Sequence, residues 1–356
     1  MNDLKLIVLD NIKEMGKEVD GYLKKMNKTD NSYIMKLCRD RFSNGEGKIR
    51  IDETIRDKDV FIMSDVGNYG ETFTMHGLEV PMSPDDHFQD IKRAISALSG
   101  YARRITVIMP LLYQSRQHKR KGRESLDCAL ALQELERLNV NHIITYDCHQ
   151  REVSNAIPNL PFENVYPSNS ILEDLVDDIN IKDALIISPD MGAMERARYY
   201  ADMLKCDVGV FYKRRDLSKV VNGKNPIVEH AYMGADVKGK TCIVVDDMIA
   251  SGGSMLEVGE KLKDRGAKKV VFIASFALFT EGIENFEKAY KDKVFDKLYT
   301  TNLTYIPKEI TKKKWIKTVN CSKRIAELIN AIHKGSSVSK IIHESEKVFK
   351  LINENR

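Results

Sequence analysis

Continuous apolar runs rich in valine and isoleucine recur along the chain, and they limit its possible folds more than any other feature. Seven of them are clear, at residues 60–63, 105–109, 142–146, 185–188, 208–212, 242–245 and 270–276. Each predicts a strand covered on both faces, as in a parallel sheet, because apolar and polar residues do not alternate. Helical stretches separate the runs, and this alternation predicts an α/β protein with mostly parallel sheets.

The stretches between and after these runs have the apolar period of helices. Residues 125–139 carry an apolar stripe, and residues 254–266 begin at a capping serine and end at a glycine. We also predict a helix at 322–333 and a charged helix in the last twenty residues. The stripe in the first of these helices consists of Leu126, Ala129, Leu130, Leu132, Leu135 and Leu138.

A strand that ends in an acid and leads into a polar loop occurs twice, in HIITYDCH at 142–149 and TCIVVDDM at 241–248. This similarity predicts two tandem α/β domains of the same type. Proline residues between them indicate a boundary. We therefore expect domains at 1–165 and 166–315, with C-terminal helices at 316–356 packing back on the body.

Composition excludes several classes of protein. The 356 residues suffice for two domains with separate cores, and 42% apolar with 30% charged residues is ordinary for a folded protein in water. The net charge of +4 is small and dispersed, so we expect no nucleic-acid partner. We found neither an apolar run of membrane-spanning length nor a signal peptide, and the six scattered cysteines predict reduced thiols in a cytoplasmic protein without a membrane partner.

The stretch VVDDMIASGGS at 244–254 carries the clearest chemistry. Two adjacent carboxylates after a core strand need donors, which vicinal sugar hydroxyls or a hydrated metal would supply. Hydroxyls, glycines and N–H groups at a helix start suit a phosphate. A Ser-Gly-Gly-Ser turn alone is usually only a turn and cap, but the acids before it make the signal specific. The predicted sugar phosphate site consists of Asp246, Asp247, Ser251, Gly252, Gly253 and Ser254.

This stretch resembles the phosphoribosyl diphosphate loop of type I phosphoribosyltransferases and of ribose-phosphate diphosphokinases, also called phosphoribosyl pyrophosphate synthetases. Five other segments resemble the diphosphokinases, in that family's order: RFSNGE, YQSRQHKRK, YDCHQRE, ISPDMGAMERAR and FYKRRD. An ordinary phosphoribosyltransferase has one domain and lacks them. The resemblance therefore implies two tandem phosphoribosyltransferase type I domains, with ATP on the side of the first and ribose 5-phosphate at the loop of the second.

The same resemblance implies roles for particular residues. On the nucleotide side it implies contact with the adenine ring, contact with the rest of the nucleotide, and a magnesium ligand on ATP. These residues are Phe42, Asn44 and Glu46 for adenine, Arg116 and Gln117 for the nucleotide, and His149 for both ATP and the metal. Taken alone, each of these residues has a simpler structural interpretation. A lone histidine after a strand, for example, is more often a loop or packing residue.

On the sugar side, the resemblance implies that Asp190 lies by the sugar and Mg²⁺. Lys213 and Arg215 are implied as the catalytic cations at the start of a mobile loop. The polar, glycine-bearing stretch 216–226 would then be a lid that excludes water.

The implied activity is transfer of the β,γ-diphosphoryl group of Mg-ATP to the C1 hydroxyl of ribose 5-phosphate, giving 5-phosphoribosyl 1-diphosphate and AMP. Two alternatives remain: a salvage phosphoribosyltransferase that consumes the activated sugar, and a catalytically silent regulatory subunit. The resemblance also implies a homo-oligomer in which dimers assemble into larger rings such as a hexamer, with phosphate and ADP as effectors.

The sequence departs from the family pattern at four places. Ala250 replaces an acid in the sugar phosphate loop, whose two threonines are serines here, and His118 stands where the family has aspartate. Gln150 and Arg151 follow His149 where smaller or apolar residues are common. Finally, the segment 65–90 is longer than its family counterpart, and its glycines and prolines predict irregular surface structure.

Overall fold

The computed structural model describes residues 3–215, 227–342 and 345–354, with the backbone alone at 213–215, 227–230, 345–347 and 353–354. The predicted lid at 216–226 lies outside the described residues. The first half of the chain contains β1 (Leu4–Val8), α1 (Lys13–Asn27), β2 (Leu37–Arg41), β3 (Gly47–Ile51), β4 (Asp59–Met63), β5 (Thr72–Met75), β6 (Leu78–Pro81), α2 (Pro84–Leu98), β7 (Arg104–Ile108), α3 (Asp127–Arg137), β8 (His142–Tyr146) and β9 (Phe162–Val165), with 3-10 turns at Asp10–Ile12 and Arg151–Ala156.

The second half continues the alternation of helix and strand. It contains α4 (Ser168–Asp178), β10 (Ala184–Ser188), α5 (Met194–Leu204), β11 (Val208–Arg215), β12 (Ile227–Met233), β13 (Thr241–Ile249), α6 (Gly253–Asp264), β14 (Lys269–Ala277), α7 (Glu284–Lys291), β15 (Lys297–Thr301), α8 (Lys308–Thr311), β16 (Ile316–Val319), α9 (Ser322–His333), α10 (Ser339–Ile342) and α11 (Ser345–Glu354). All seven predicted strands are present, as are the four predicted helices.

The chain divides into two compact units that are not simply consecutive. The first unit comprises Met1–Pro167, Asn302–Pro307 and Asn320–His343, and the second comprises Ser168–Thr301, Lys308–Val319 and Glu344–Arg356. Helix α9 packs against α1 in the first unit, whereas α11 packs against α4 and α5 in the second. Late segments of the chain therefore complete both units.

The main sheet of the first unit has the strand order β1-β4-β7-β8-β9, and all of its pairs are parallel. Helices cover it: Ile91 and Ile95 of α2 and Leu132 of α3 are buried in one apolar core with Val107 of β7. A parallel bridge between Leu6 and Ile34 adds the segment after α1 to the free side of β1. The chain therefore leaves β1 towards one side of the sheet and returns to β4 on the other.

The sheet of the second unit has the order β12-β11-β10-β13-β14-β15-β16, in which only β12 is antiparallel to its neighbour. From β10 the chain also moves first to one side, through β11 and β12, and then to the other, through β13. The α/β class with mostly parallel sheets is thus confirmed for both units. In such sheets, ligands bind beyond the carboxyl ends of the strands where the winding reverses, here between β10 and β13.

The two sheets share their register as well as their winding. Five strands of the first sheet can each be aligned with a strand of the second sheet by their first residues. In this alignment, neighbouring strands pair through corresponding residues in the two sheets. The matched pairs of strands are β1 with β10, β4 with β13, β7 with β14, β8 with β15, and β9 with β16. The predicted repeat is therefore real, but the prediction matched β8 with β13, whereas the counterpart of β13 is β4.

Three further expectations need correction. Strand β13 does not end at residue 245 but continues to Ile249. The segment 65–90 is not irregular, since it contains the antiparallel hairpin of β5 and β6 and the start of α2. Leu130, predicted to lie in the apolar stripe of α3, is 50% exposed. Among the residues that the structure describes, no helix is long and apolar enough to cross a membrane.

Candidate functional site

The crevice of the second unit opens where β10 and β13 separate. Their pairing ends at Ile187 and Val244, whereas β13 remains paired with β14 as far as Ile249 and Ala277. Among the described strands, the extension of β13 is therefore paired with β14 only. Because Asp246 and Asp247 lie in this extension, they belong to the strand rather than to the loop after it.

The two carboxyl groups of this strand strongly influence each other. Asp247 is 2% exposed, and its backbone N–H donates to Oδ1 of Asp246 over 2.9 Å. Burial raises the pKa of Asp246 well above its ordinary value, and the neighbouring Asp247 raises it further. The nearby Arg196 guanidinium partly opposes this rise in pKa. A hydroxyl-bearing or cationic ligand would relieve the repulsion between the two acids.

Arg196 was not singled out from the sequence. It lies on α5, the helix that follows β10, so the topology brings its charge to the acids of β13. Its only sequence signal is its position in the first turns of a helix that follows the Asp190 segment.

The loop after β13 leads directly into α6. Gly252 precedes the helix with φ of 83°, a left-handed conformation that favours glycine. A Cβ atom there would lie 2.3 Å from the ring of Phe286, so the position also lacks room for a side chain. Gly253 and Ser254 form the first turn of α6, where backbone N–H groups have no partner within the helix. The structure therefore brings the predicted loop, including Ser251, to a helix start beside the acids.

Asp190 lies in the loop that connects β10 to α5, at the same edge of the sheet. Its Oδ1 accepts hydrogen bonds from the N–H groups of Gly192 (2.8 Å) and Ala193 (3.1 Å). Both bonds fall on Oδ1, which leaves Oδ2 to serve as an oxygen ligand. The predicted catalytic residues Lys213 and Arg215 lie at the end of β11, but their side chains are outside the description.

The predicted adenine residues lie in the turn between β2 and β3 of the first unit. Asn44 Nδ2 donates to Glu46 Oε2 over 3.0 Å, and the Glu46 N–H donates to Asn44 Oδ1 over 3.1 Å. Gly45 has φ of 92°, and its N–H donates to the carbonyl of Phe42 over 2.8 Å. The turn is thus closed by its own bonds, while the Phe42 side chain is 52% exposed.

The remaining nucleotide residues follow β7 and β8 in the same unit. Arg116 is exposed, whereas the Gln117 amide donates to the carbonyl of Ser125 over 2.8 Å. His149 lies near His118, with ring centroids 5.3 Å apart. Burial lowers the pKa of His118, and His149 lowers it further. These residues share one edge of the first sheet because they follow adjacent parallel strands.

The described residues offer a metal ion few protein ligands. Within the described ranges, no group of three or more His, Cys, Asp or Glu side chains could hold a metal ion. Mg²⁺ prefers oxygen and commonly keeps waters and substrate phosphates as ligands, so one or two protein groups are enough. Asp190 is of the preferred type and His149 is a less usual one; they belong to different units.

The register of the two sheets assigns a counterpart to this crevice in the first unit. Ser64 and Asp65, directly after β4, align with Asp246 and Asp247 of β13. Asp65 is 2% exposed and accepts hydrogen bonds from the Gly67 N–H (2.9 Å), the Thr304 hydroxyl (3.1 Å) and the Tyr305 N–H (2.7 Å). Burial raises the pKa of Asp65 to about 7, which these bonds only partly oppose.

The segment Asn302–Pro307 fills this second crevice. A Cβ atom on Gly70 would lie 2.5 Å from the Tyr305 ring, which also meets Tyr69 edge-on at 5.4 Å between ring centroids. The hydroxyl and amide donors that Asp65 requires are therefore supplied by the protein itself. None of these residues was singled out from the sequence.

Comparison with protein families adds an independent observation. Residues 4–138 match the N-terminal domain of ribose phosphate pyrophosphokinase, and residues 166–305 match the phosphoribosyl transferase domain. These two matches correspond to the two predicted domain types.

Individual proteins give the same result. Ribose-phosphate pyrophosphokinase 2 of Schizosaccharomyces pombe is 32% identical over 305 residues, which span 84% of this chain and 87% of that protein. The ribose-phosphate pyrophosphokinase of Vibrio cholerae is 30% identical over 304 residues, or 84% of this chain and 88% of that protein. Among solved structures, phosphoribosylpyrophosphate synthetase from Mycobacterium smegmatis aligns over 94% of this chain and 100% of its own, with a TM-score of 0.77 at 21% identity.

Proposed function

The chain belongs to the ribose-phosphate pyrophosphokinase family, and on that premise we propose how its residues divide the work of the reaction. The enzyme is a ribose-phosphate diphosphokinase. The C1 hydroxyl oxygen of ribose 5-phosphate forms a bond to the β-phosphorus of ATP. The bond from that phosphorus to the oxygen shared with the α-phosphorus breaks, so AMP leaves and the hydroxyl proton is released.

The crevice of the second unit is proposed to hold the sugar phosphate. Asp246 and Asp247 accept the ribose hydroxyls, and the start of α6, with Ser251 and Ser254, takes the 5-phosphate. The observation that carries this proposal is the extension of β13, which presents one half-buried and one buried carboxyl, those of Asp246 and Asp247, beside a helix start. Arg196 is proposed to favour the charged form of Asp246, because its guanidinium partly opposes the rise in the pKa of that carboxyl.

The nucleotide is proposed to bind to loops of the first unit. Phe42, Asn44 and Glu46 approach the adenine ring, and Arg116, Gln117 and His149 bind the rest of the nucleotide. The exposed ring of Phe42 supports this proposal, since an uncovered aromatic ring beside a closed turn can stack on a base.

The transition state spreads negative charge over phosphoryl oxygens, so positioning and cations supply most of the catalysis. Lys213 and Arg215 are proposed as those cations. For Mg²⁺, which the family uses, we propose Asp190 in the second unit and His149 in the first unit as protein ligands, and the metal would stabilise charge on the phosphoryl oxygens.

The direct test combines purified protein with ribose 5-phosphate, ATP, Mg²⁺ and inorganic phosphate. AMP and 5-phosphoribosyl 1-diphosphate should form together and only with the sugar present. Sugar binding without either product would instead favour the silent subunit or a salvage phosphoribosyltransferase.

A second test addresses the cations. Lys213→Ala should lower turnover by about 100- to 1000-fold, because one preorganised donor to a charged transition state has that effect. The thermal unfolding midpoint should change little. Near-normal turnover would remove Lys213 from the catalytic residues.

Assembly and regulation are carried over from the family as proposals: homodimers that join into larger rings such as a hexamer, activation by phosphate, inhibition by ADP, and a cytoplasmic location. Light scattering would measure the assembly, and steady-state rates at several phosphate and ADP concentrations would measure the regulation.

A further inference from the structure

The hairpin of β5 and β6, at residues 72–81, contacts the turn that is proposed to receive adenine. The N–H of His76, at the tip of the hairpin, donates to the carbonyl of Ser43 over 2.9 Å. His76 and Gly77 both have positive φ, 50° and 80°, as a two-residue hairpin turn requires. The hairpin tip is therefore bonded directly to the backbone of the turn at 42–46.

Side chains of β5 pack against the same turn. A Cβ atom on Gly45 would lie 2.8 Å from the sulfur of Met75 and 3.7 Å from the ring of Phe73. The thioether thus lies directly on the glycine backbone, and the left-handed φ of Gly45 leaves that face open for it. Thr74, between these two residues, is exposed and bonds to Glu79 within the hairpin.

Arg41 joins the turn and the hairpin to the body of the first unit. Its guanidinium lies 5.3 Å from the Phe73 ring centroid, donates to the Gly45 carbonyl over 3.4 Å and pairs with Asp90 of α2 at 2.7 Å. At the base of the hairpin, Arg39 pairs with Glu71. The turn is therefore held between a rigid strand end and the inserted hairpin, while Phe42 remains 52% exposed.

We propose that the hairpin at 72–81 is a positioning element for the purine base of the nucleotide, which holds the turn at 42–46 so that Phe42 can stack on that base. This inference rests on the proposed nucleotide site. The hairpin contributes through the turn, so its contribution belongs to nucleotide binding and not to sugar binding or to phosphoryl transfer.

The main experiment shortens the hairpin. Residues 72–81 are replaced by two glycines, which can join the flanking residues because Thr72 and Pro81 are paired neighbours. Glu71, which pairs with Arg39, and Met82, whose N–H donates to the Glu71 carbonyl, are kept. The KM for ATP should rise about tenfold and the preference for ATP over GTP should fall. The kcat and the KM for ribose 5-phosphate should stay within about twofold.

Point variants distinguish the effect of the contact between Met75 and Gly45 from the effect of the hairpin as a whole. Met75→Ala should raise the KM for ATP about threefold, and Met75→Leu should restore it, because leucine refills the space on Gly45. Thr74→Ala is the matched control, since this neighbouring side chain does not bond to the turn, and it should leave both KM values unchanged.

Three outcomes would overturn the proposal: an unchanged KM for ATP in the shortened, folded variant; an equal loss for both substrates and in kcat; or a changed oligomeric mass with normal ATP kinetics, which would make the hairpin an assembly surface. Calorimetric titration of ATP into wild-type and shortened protein distinguishes a failure of the positioning proposal from a failure of the proposed activity. An inactive wild type that binds ATP about tenfold more tightly than the shortened variant would reject the activity and retain the positioning role.

Discussion

The two crevices of this molecule have the same strand register, but the surroundings of their acidic side chains differ. In the second unit, the extension of β13 carries Asp246 and Asp247 beside a helix start, and burial with mutual repulsion raises the pKa of Asp246. In the first unit, Asp65 occupies the register position of Asp247 but receives a hydroxyl and an amide from Thr304 and Tyr305.

The difference lies outside strand register and winding, because both units share them. In the first unit, the segment Asn302–Pro307 supplies a hydroxyl and an amide donor to Asp65. Asp65 therefore fixes this segment, whereas Asp246 and Asp247 are proposed to accept a ligand.

The largest contrast is expected from the two register-matched acids. Asp247→Asn should lower kcat/KM for ribose 5-phosphate by about 100-fold or more, because it removes a charged hydrogen-bond acceptor in a buried site. Asp65→Asn should leave kcat/KM within about threefold. Steady-state kinetics of both variants would measure this, and similar losses in the two would mean that the first crevice takes part in catalysis.

Next in size is the pH dependence of stability. The pKa of Asp65 is raised from 3.8 to about 7 in the folded protein, so its stabilising contribution is full below about pH 4 and is lost as the pH rises through 7. At about 1.4 kcal/mol per pKa unit, the free energy of unfolding should fall by a few kcal/mol over that range. Asp65→Asn should remove this part of the slope.

Urea unfolding at several pH values between 4 and 8 would measure the slope. Asp246→Asn is the comparison variant, because the pKa of Asp246 is also raised and its removal should also reduce the slope. A wild-type slope that persists in Asp65→Asn would show that its carboxyl ionises normally.

A smaller effect is expected at the glycine that precedes α6 in the second unit. Gly252→Ala should destabilise the protein by about 1–3 kcal/mol and raise the KM for ribose 5-phosphate, because alanine is strained at φ of 83° and meets Phe286. Gly100→Ala is the matched control, since Gly100 has φ of 77° with open space around it. Equal melting temperatures for the two variants would exclude the contact with Phe286 as a cause.

The smallest effect is expected at the filled crevice. Thr304→Val removes one of the donors to Asp65 and should lower the free energy of unfolding by about 1 kcal/mol, with normal kinetics for both substrates. Chemical denaturation beside the activity assay would check it. A clear kinetic defect would show that the segment Asn302–Pro307 contributes to the reaction.

Much of the fold follows from local pattern. Every predicted strand was a continuous apolar run, and the structure covers these strands on both faces. The acids at 246 and 247 were found because core strands do not ordinarily carry paired carboxyls. The hairpin of β5 and β6 was missed, although His76 and Gly77 between two short runs are a recognisable two-residue turn.

Other features could not be predicted, because they depend on distant parts of the chain. Asp65 and Thr304 are 239 residues apart, and neither position has a local signal for the contact. The match of β4 with β13 was obscured because Ser64 replaces one of the two acids. The proximity of Arg196 to Asp246 follows from sheet order rather than from spacing along the chain.

The discontinuous first unit has a consequence for the order in which the protein is made. Domains near the N-terminus ordinarily fold first during synthesis. Here the donors to Asp65 arrive with Asn302–Pro307, and the helix that covers α1 arrives with Asn320–His343. A nascent chain therefore cannot finish its first unit until nearly all of the protein has left the ribosome, and the first half to be translated is among the last parts to be completed.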